Sequence, residues 1–200
     1  MAKLIVFEGI DGSGKTTLSR MLEEHLKKTG VETQWLREPT DSPLGDRIRR
    51  IAQTERTIPA REELDYFIED RKWDVEKNIA PALRAGKTVI LDRYFYSNAC
   101  YQGARGLDKE EILQANRAFA PEADIVFVID VEVKTALERI RRNRLSRVRL
   151  FERENFLQKV RENYRKLSGP NIVLIDGNGE LTTVFSRIIR SGKDFFRRNE

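Results

Sequence analysis

Residues Gly9-Ile10-Asp11-Gly12-Ser13-Gly14-Lys15-Thr16 fit the pattern G-x-x-x-x-G-K-[ST] in full, directly after the apolar run Leu4 to Phe7 and Glu8. With average residue usage such a string arises by accident in roughly one chain in a hundred of this length. Its surroundings sharpen it. The apolar run reads as a buried strand, and Leu18, Met21, Leu22 and Leu26 recur at spacings of three and four, which predicts a helix just after the glycines. In a strand, Gly-rich turn and helix of this order, backbone N–H groups wrap phosphate oxygens. Lys15 then reaches the outer phosphates, and the Thr16 hydroxyl can ligate magnesium. The helix adds its positive N-terminal end. Gly9, Ile10, Asp11, Gly12, Ser13, Gly14, Lys15, Thr16 and Thr17 are the residues expected to hold nucleotide phosphates.

Four more short apolar runs follow, Thr33 to Leu36, Thr88 to Leu91, Ile125 to Ile129 and Ile172 to Ile175, separated by amphipathic stretches such as that of Ala136, Leu137 and Ile140. Five buried strands alternating with helices predict an α/β fold, a parallel sheet covered on both faces. Ligands bind such sheets beyond the carboxyl ends of the strands, so the residues after each run are the ones to inspect.

The chain of 200 residues, 40% hydrophobic, is long enough for one large core, and 1–200 reads as a single domain. Its 37 Lys and Arg exceed its 32 Asp and Glu too little to imply a nucleic-acid partner. Cys100 is the single cysteine, so no internal disulfide can form. Leu4 to Phe7 is too short for a signal-peptide core, and no stretch approaches the about 20 apolar residues of a membrane span. These features predict a soluble cytoplasmic protein with no membrane partner.

A nucleotide pocket does not name a reaction. Asp92 is followed by Arg93 and Asp130 by Val131, where water-activating ATPases commonly place a Glu, and the guanine-reading string Asn-Lys-x-Asp is absent. Both facts favour an acceptor other than water. Seven arginines lie between Arg139 and Arg153 against one acid, Glu152, and Leu145 and Ser146 interrupt the helical pattern. The plain alternative is a solvated helix face. A mobile lid over residues 141–153, carrying charge onto ATP as it closes, fits the interruption and the position after the fourth strand better.

Taken in order, the Gly-rich loop, Arg37-Glu38-Pro39, Phe67 with Arg71, Asp92-Arg93-Tyr94, Ser97-Asn98 and Tyr101-Gln102-Gly103 resemble the thymidylate kinase family over nearly the whole chain. The resemblance implies a P-loop NTPase fold, with a five-stranded parallel sheet, helices on both faces and an Arg-rich lid. It further implies transfer of the γ-phosphoryl group from ATP to dTMP, with Mg2+ and a homodimer. In that family a carboxylate of the loop, here Asp11, meets the sugar 3'-hydroxyl. Glu38 and Pro39 form a turn with a cis peptide beside the acceptor phosphate, which Arg49 and Arg93 grip. Phe67 stacks on the thymine, Arg71 contacts the base, Ser97 and Asn98 hold the positions that read it, and Gln102 is a further substrate-binding residue. Tyr101 packs under the deoxyribose, where it crowds a 2'-hydroxyl. Asp92 joins Thr16 at the magnesium. The catalytic arginine of the family sits either in the loop or in the lid. Gly12 holds the loop position here, so Arg147 and Arg149 are the expected catalytic lid residues beside Lys15 and Arg93.

Two features depart from the family pattern. Thr40-Asp41-Ser42 replaces a Gly-Gly-Thr run and adds negative charge near the acceptor phosphate, and Lys72-Trp73-Asp74 lacks a histidine often found there. Alternative readings are a kinase for another nucleoside monophosphate or a deoxynucleoside, and a nucleotide-binding regulatory module without transfer activity.

Overall fold

The computed structural model describes residues 2–53, 58–141 and 150–197. Five parallel strands, β1 (Leu4–Glu8), β2 (Thr33–Arg37), β3 (Thr88–Asp92), β4 (Ile125–Asp130) and β5 (Ile172–Asp176), stand in the order β2-β3-β1-β4-β5. Register pairs Phe7 with Asp92 and with Phe127, which sets the carboxyl ends of β1, β3 and β4 side by side. Every strand runs one residue past its apolar run, onto Glu8, Arg37, Asp92, Asp130 or Asp176. The carboxyl edge of the sheet is therefore a row of charged side chains.

The expectation of five buried strands holds for β1, β3 and β4, whereas β2 is only half-buried and β5 exposes Leu174. Both are edge strands with one free side, so they meet fewer covering helices than the three inner ones. Alternation along the inner strands feeds two cores. Ile5, Phe7, Ile90, Phe127 and Ile129 pack with Leu18, Leu22 and Leu26 of helix α1 (Lys15–Lys28) and with Val184 and Ile188 further along the chain. Leu4, Val6, Val89, Leu91, Val126 and Val128 face the opposite way, toward Leu64, Phe95, Tyr96 and Val160. This period of two, apolar on both faces, is what a doubly covered parallel sheet requires.

The helices that carry the site lie mostly on that second face. After α2 (Pro43–Gln53) comes α3 (Ala60–Asp74), which runs through one π-helical turn, Val75–Ile79, into α4 (Ala80–Arg84). Next are α5 (Phe95–Ala104), α6 (Lys109–Arg117), α7 (Val133–Arg141) and α8 (Leu150–Arg165), with α9 (Leu181–Ser191) and α10 (Lys193–Arg197) after β5. Asp108 caps α6 by accepting from the Glu111 N–H at 2.9 Å. Trp73, within the Lys72-Trp73-Asp74 departure, remains 36% exposed on α3.

Candidate active site

The loop from Gly9 to Gly14 passes from β1 into α1 with glycine where the backbone demands it. Gly12 has φ 81, and a Cβ there would stand 2.4 Å from the carbonyl oxygen of Ala136 on α7. An arginine at this position, the family's other arrangement, is sterically closed to this backbone. Lys15, the first residue of α1, is buried and donates from Nζ to the Ile10 carbonyl at 2.9 Å. Burial pulls its pKa down to about 8. The charge of Arg93 adds to that effect, against the opposing pull of Asp92, Asp11 and Glu8. Thr16 Oγ1 donates to Asp92 Oδ2 at 2.5 Å, while Asp92 Oδ1 is buried with no partner among the described residues. These groups border a cavity of ≈ 630 Å³ that also takes in Thr17, Arg93 and Arg139.

A second cavity of ≈ 430 Å³ adjoins the first, and Asp11, Glu38, Pro39, Arg49 and Arg93 line both. Arg93 is at the centre of that junction. Its φ of 73 is the one positive value among the described non-glycine residues. A side chain held in the left-handed region marks a backbone position fixed by its surroundings. Its guanidinium donates to Asp11 Oδ1 at 2.5 Å and to Ser97 Oγ at 3.0 Å, and lies over the Tyr101 ring at 5.3 Å. Although burial alone would lower its pKa, Tyr101, Asp11, Tyr164 and Glu8 together raise it, so Arg93 keeps its charge. The Tyr101 hydroxyl accepts from the Asp11 N–H at 3.0 Å, which ties α5 to the phosphate loop.

The other sequence-predicted residues gather in the second cavity, each held by an identifiable partner. The Glu38-Pro39 peptide is cis. Glu38 turns inward to a buried ion pair with Arg71, whose Nη1 also donates to Asn98 Oδ1 at 2.8 Å and Asn116 Oδ1 at 2.6 Å. Burial pushes the Glu38 carboxyl upward against the pull of Arg71. Removing one partner of such a pair typically costs about 3 to 5 kcal/mol, because it strands the other charge. Phe67 lines this cavity from α3, four residues before Arg71. Arg49 lines it from α2 and donates to the carbonyls of Pro39 at 2.9 Å and Thr40 at 2.6 Å. Ser97 also borders the cavity, but its hydroxyl is committed to Glu8 at 2.6 Å and to Arg93. Gln102 likewise stands behind Asn98, bonded to it at 3.1 Å.

The departures from the family pattern have structural partners too. Thr40 and Ser42 donate from their hydroxyls to buried Asp70 on α3 at 2.5 and 2.8 Å, so they anchor the turn. Asp41 projects outward, 3.3 Å from Arg37 and 3.5 Å from Arg49. Arg147 and Arg149 lie outside the described residues. Of the expected lid, 141–153, the structure describes Arg141 at the end of α7 and the helical start of α8.

Several lining or supporting residues carried no local signal. Buried Glu8 accepts from the Tyr94 and Ser97 N–H groups at 2.8 and 3.1 Å and from the Tyr164 hydroxyl at 2.8 Å, joining β1, α5 and α8. Arg139 reaches from α7 over the phosphate loop to the Ser13 carbonyl at 3.3 Å. Glu63 and Arg105 close the far end of the second cavity with an ion pair at 2.5 Å. Only the position of Glu8 at a strand end and of Arg139 at the head of the Arg-rich run hinted at the first two.

Comparison with known proteins agrees with this geometry. The family model described as thymidylate kinase matches residues 7–188. The probable thymidylate kinase of Archaeoglobus fulgidus is 39% identical over 181 residues, covering 90% of each chain. The thymidylate kinase of Desulfotalea psychrophila is 39% identical over 98% of this chain and 96% of its own, and the probable enzyme of Thermococcus kodakarensis is 42% identical over 92% and 94%. Among solved structures, the crystal structure of thymidylate kinase from Ehrlichia chaffeensis superposes with a TM-score of 0.76 at 28% identity, covering 95% of this chain and 98% of that one.

Proposed function

This chain belongs to the thymidylate kinase family, with its P-loop NTPase fold, and on that premise we propose how its residues transfer the γ-phosphoryl group of ATP to dTMP. The carrying observation is the meeting of two cavities at Arg93 and Asp11, beside the phosphate loop. ATP takes the larger cavity, its outer phosphates wrapped by the backbone of residues 9–14 and neutralised by Lys15. The dTMP takes the adjoining one. Its base lies against Phe67 with its edge toward Arg71 and Asn98, its sugar is over Tyr101 with the 3'-hydroxyl toward Asp11, and its phosphate is beside Arg49 and Arg93.

An oxygen of the dTMP phosphate forms the new bond to the γ-phosphorus as the bond to the leaving ADP oxygen breaks. Little covalent chemistry is left for the protein in such a transfer, so charge and alignment carry it. Arg93 touches both compartments and is held rigidly by Asp11, Ser97 and the Tyr101 ring, so its charge is preorganised where the phosphates meet. Arg147 and Arg149 add charge from the lid. Thr16 and Asp92 suit a hard divalent cation, because Asp92 offers one buried carboxylate oxygen without a partner beside the Thr16 hydroxyl. Bound Mg2+ would supply further neutralisation of phosphate charge there.

Residues 1–200 act as one kinase domain in this account. A homodimer is proposed as well, and light scattering at micromolar concentration should give twice the 23.3 kDa chain mass; a monomer mass would remove that part. No helix among the described residues is long and apolar enough to cross a membrane, and the cytoplasm is the proposed location. Transfer itself is tested by ADP release with and without dTMP. Wild type should release ADP in a dTMP-dependent way and folded Lys15→Ala should lose about a hundredfold or more of that rate. Normal turnover in folded Lys15→Ala would overturn the donor site.

A further inference from the structure

The second cavity contains a line of directional hydrogen bonds running outward from the base edge. Arg71 Nη1 donates to Asn98 Oδ1 at 2.8 Å, Asn98 Nδ2 donates to Gln102 Oε1 at 3.1 Å, Gln102 Nε2 donates to Glu63 Oε2 at 2.8 Å, and Arg105 donates to that same oxygen at 2.5 Å. Asn98 and Gln102 are almost wholly buried, 2% and 3% exposed, and Glu63 and Arg105 are about three-quarters buried at the mouth.

An amide has a donor end and an acceptor end, so either amide could turn over without changing shape, and only its neighbours choose the orientation. Here both termini of the line are one-way groups. Arg71 and Arg105 can only donate, and ionised Glu63 can only accept. Glu63 draws the Gln102 NH2 outward, which turns Gln102 Oε1 toward Asn98 and draws the Asn98 NH2 away from the base. Asn98 Oδ1 is thereby left facing Arg71 and the cavity. We propose that Glu63, outside the base's own contacts, is a positioning residue that sets the hydrogen-bond polarity read at the acceptor base, favouring a pyrimidine with N3–H and O4 over one with unprotonated N3 and a 4-amino group. The proposal rests on dTMP occupying this cavity, as above.

The logic inverts cleanly. In Glu63→Gln, the Arg105 guanidinium claims the new amide oxygen, so the new NH2 faces Gln102. Gln102 turns over, its NH2 meets the Asn98 NH2, and Asn98 is pressed to present its own NH2 to the cavity, against Arg71. Adding Gln102→Glu restores an acceptor-only group in the middle of the line: the Gln at 63 donates to the new carboxylate, and so does Asn98. The cluster then has its original charge and original polarity.

The measurement is the ratio of kcat/KM for dTMP to that for dCMP, with ATP and Mg2+, paired with the ratio of dissociation constants so that a slow variant still reports. Glu63→Gln should lower both ratios by about tenfold, the effect of one mismatched buried polar group. Glu63→Gln with Gln102→Glu should return them to within a few-fold of wild type, which a merely structural role for Glu63 would not do. Unchanged ratios in the single variant, or no recovery in the double, would overturn the relay while leaving dTMP as the substrate. A wild type that neither binds nor uses dTMP would instead overturn the reading on which the relay rests.

Discussion

Lys15 shows how one side chain's environment becomes an observable. Its ammonium is buried, and its pKa is drawn down to about 8 first by burial and then by Arg93. In the free protein the charged form is therefore lost as pH rises through about 8, and bound phosphate restores it. The expected profile is a fall of kcat/KM for ATP above about pH 8, approaching tenfold per pH unit, while kcat holds to higher pH because ATP is already bound. In Lys15→Arg, whose side chain does not lose its proton, that descending limb should vanish. A limb near pH 8 that persists in Lys15→Arg would assign it to another group. Residue-scale placement of this kind was legible in the sequence where a motif fixed it: Lys15 and Thr16 head the helix after the Gly-rich loop, and Thr16 bonds Asp92, which only the family resemblance had set beside it. The partners of Arg71 were not, since Glu38, Asn98 and Asn116 stand 33, 27 and 45 residues away and only the folded topology brings them together. Ser97 was expected to read the base and Gln102 to bind substrate; both border the second cavity, but the Ser97 hydroxyl is bonded to Glu8 and the Gln102 amide to Glu63, partners that no local pattern in the sequence reveals.

At the scale of elements, hydrophobic periodicity found all five strands and ended each one residue early. The reason is physical. Apolar runs mark burial, whereas ladder hydrogen bonding continues onto the charged residue that the site needs at each carboxyl end. Sequence also overstated the burial of β2 and β5, because edge position is a property of strand order, which no local pattern reveals. Between elements, the fit of the phosphate loop against α7 gives a sharp expectation. With φ 81 and the Ala136 oxygen 2.4 Å from where a Cβ would be, Gly12→Ala should destabilise the fold by about 1 to 3 kcal/mol and lower the melting temperature measured by thermal unfolding. ATP affinity should weaken with it, as the loop must shift to relieve the contact. An unchanged melting temperature and ATP affinity would mean that loop and helix do not meet as described.

At the scale of the whole molecule, the sheet's carboxyl edge, the two adjoining cavities and the family match converge on one claim, phosphoryl transfer to thymidylate. The measurement that tests it most directly is a panel of nucleoside monophosphates, each assayed by ADP release with ATP and Mg2+. The arrangement of Phe67, Arg71 and Asn98 predicts dTMP as the best acceptor. A mismatched buried polar group costs about 1 to 3 kcal/mol, so dCMP and the purine monophosphates, whose edges leave Arg71 and Asn98 unmatched, should each be roughly ten- to a hundredfold worse. For dUMP, which lacks only a methyl group worth about 0.8 kcal/mol when buried, the deficit should be only several-fold. With Tyr101 under the sugar, as proposed, UMP should fall below dUMP. Equal use of dCMP and dTMP, or a preference for AMP, would contradict the account.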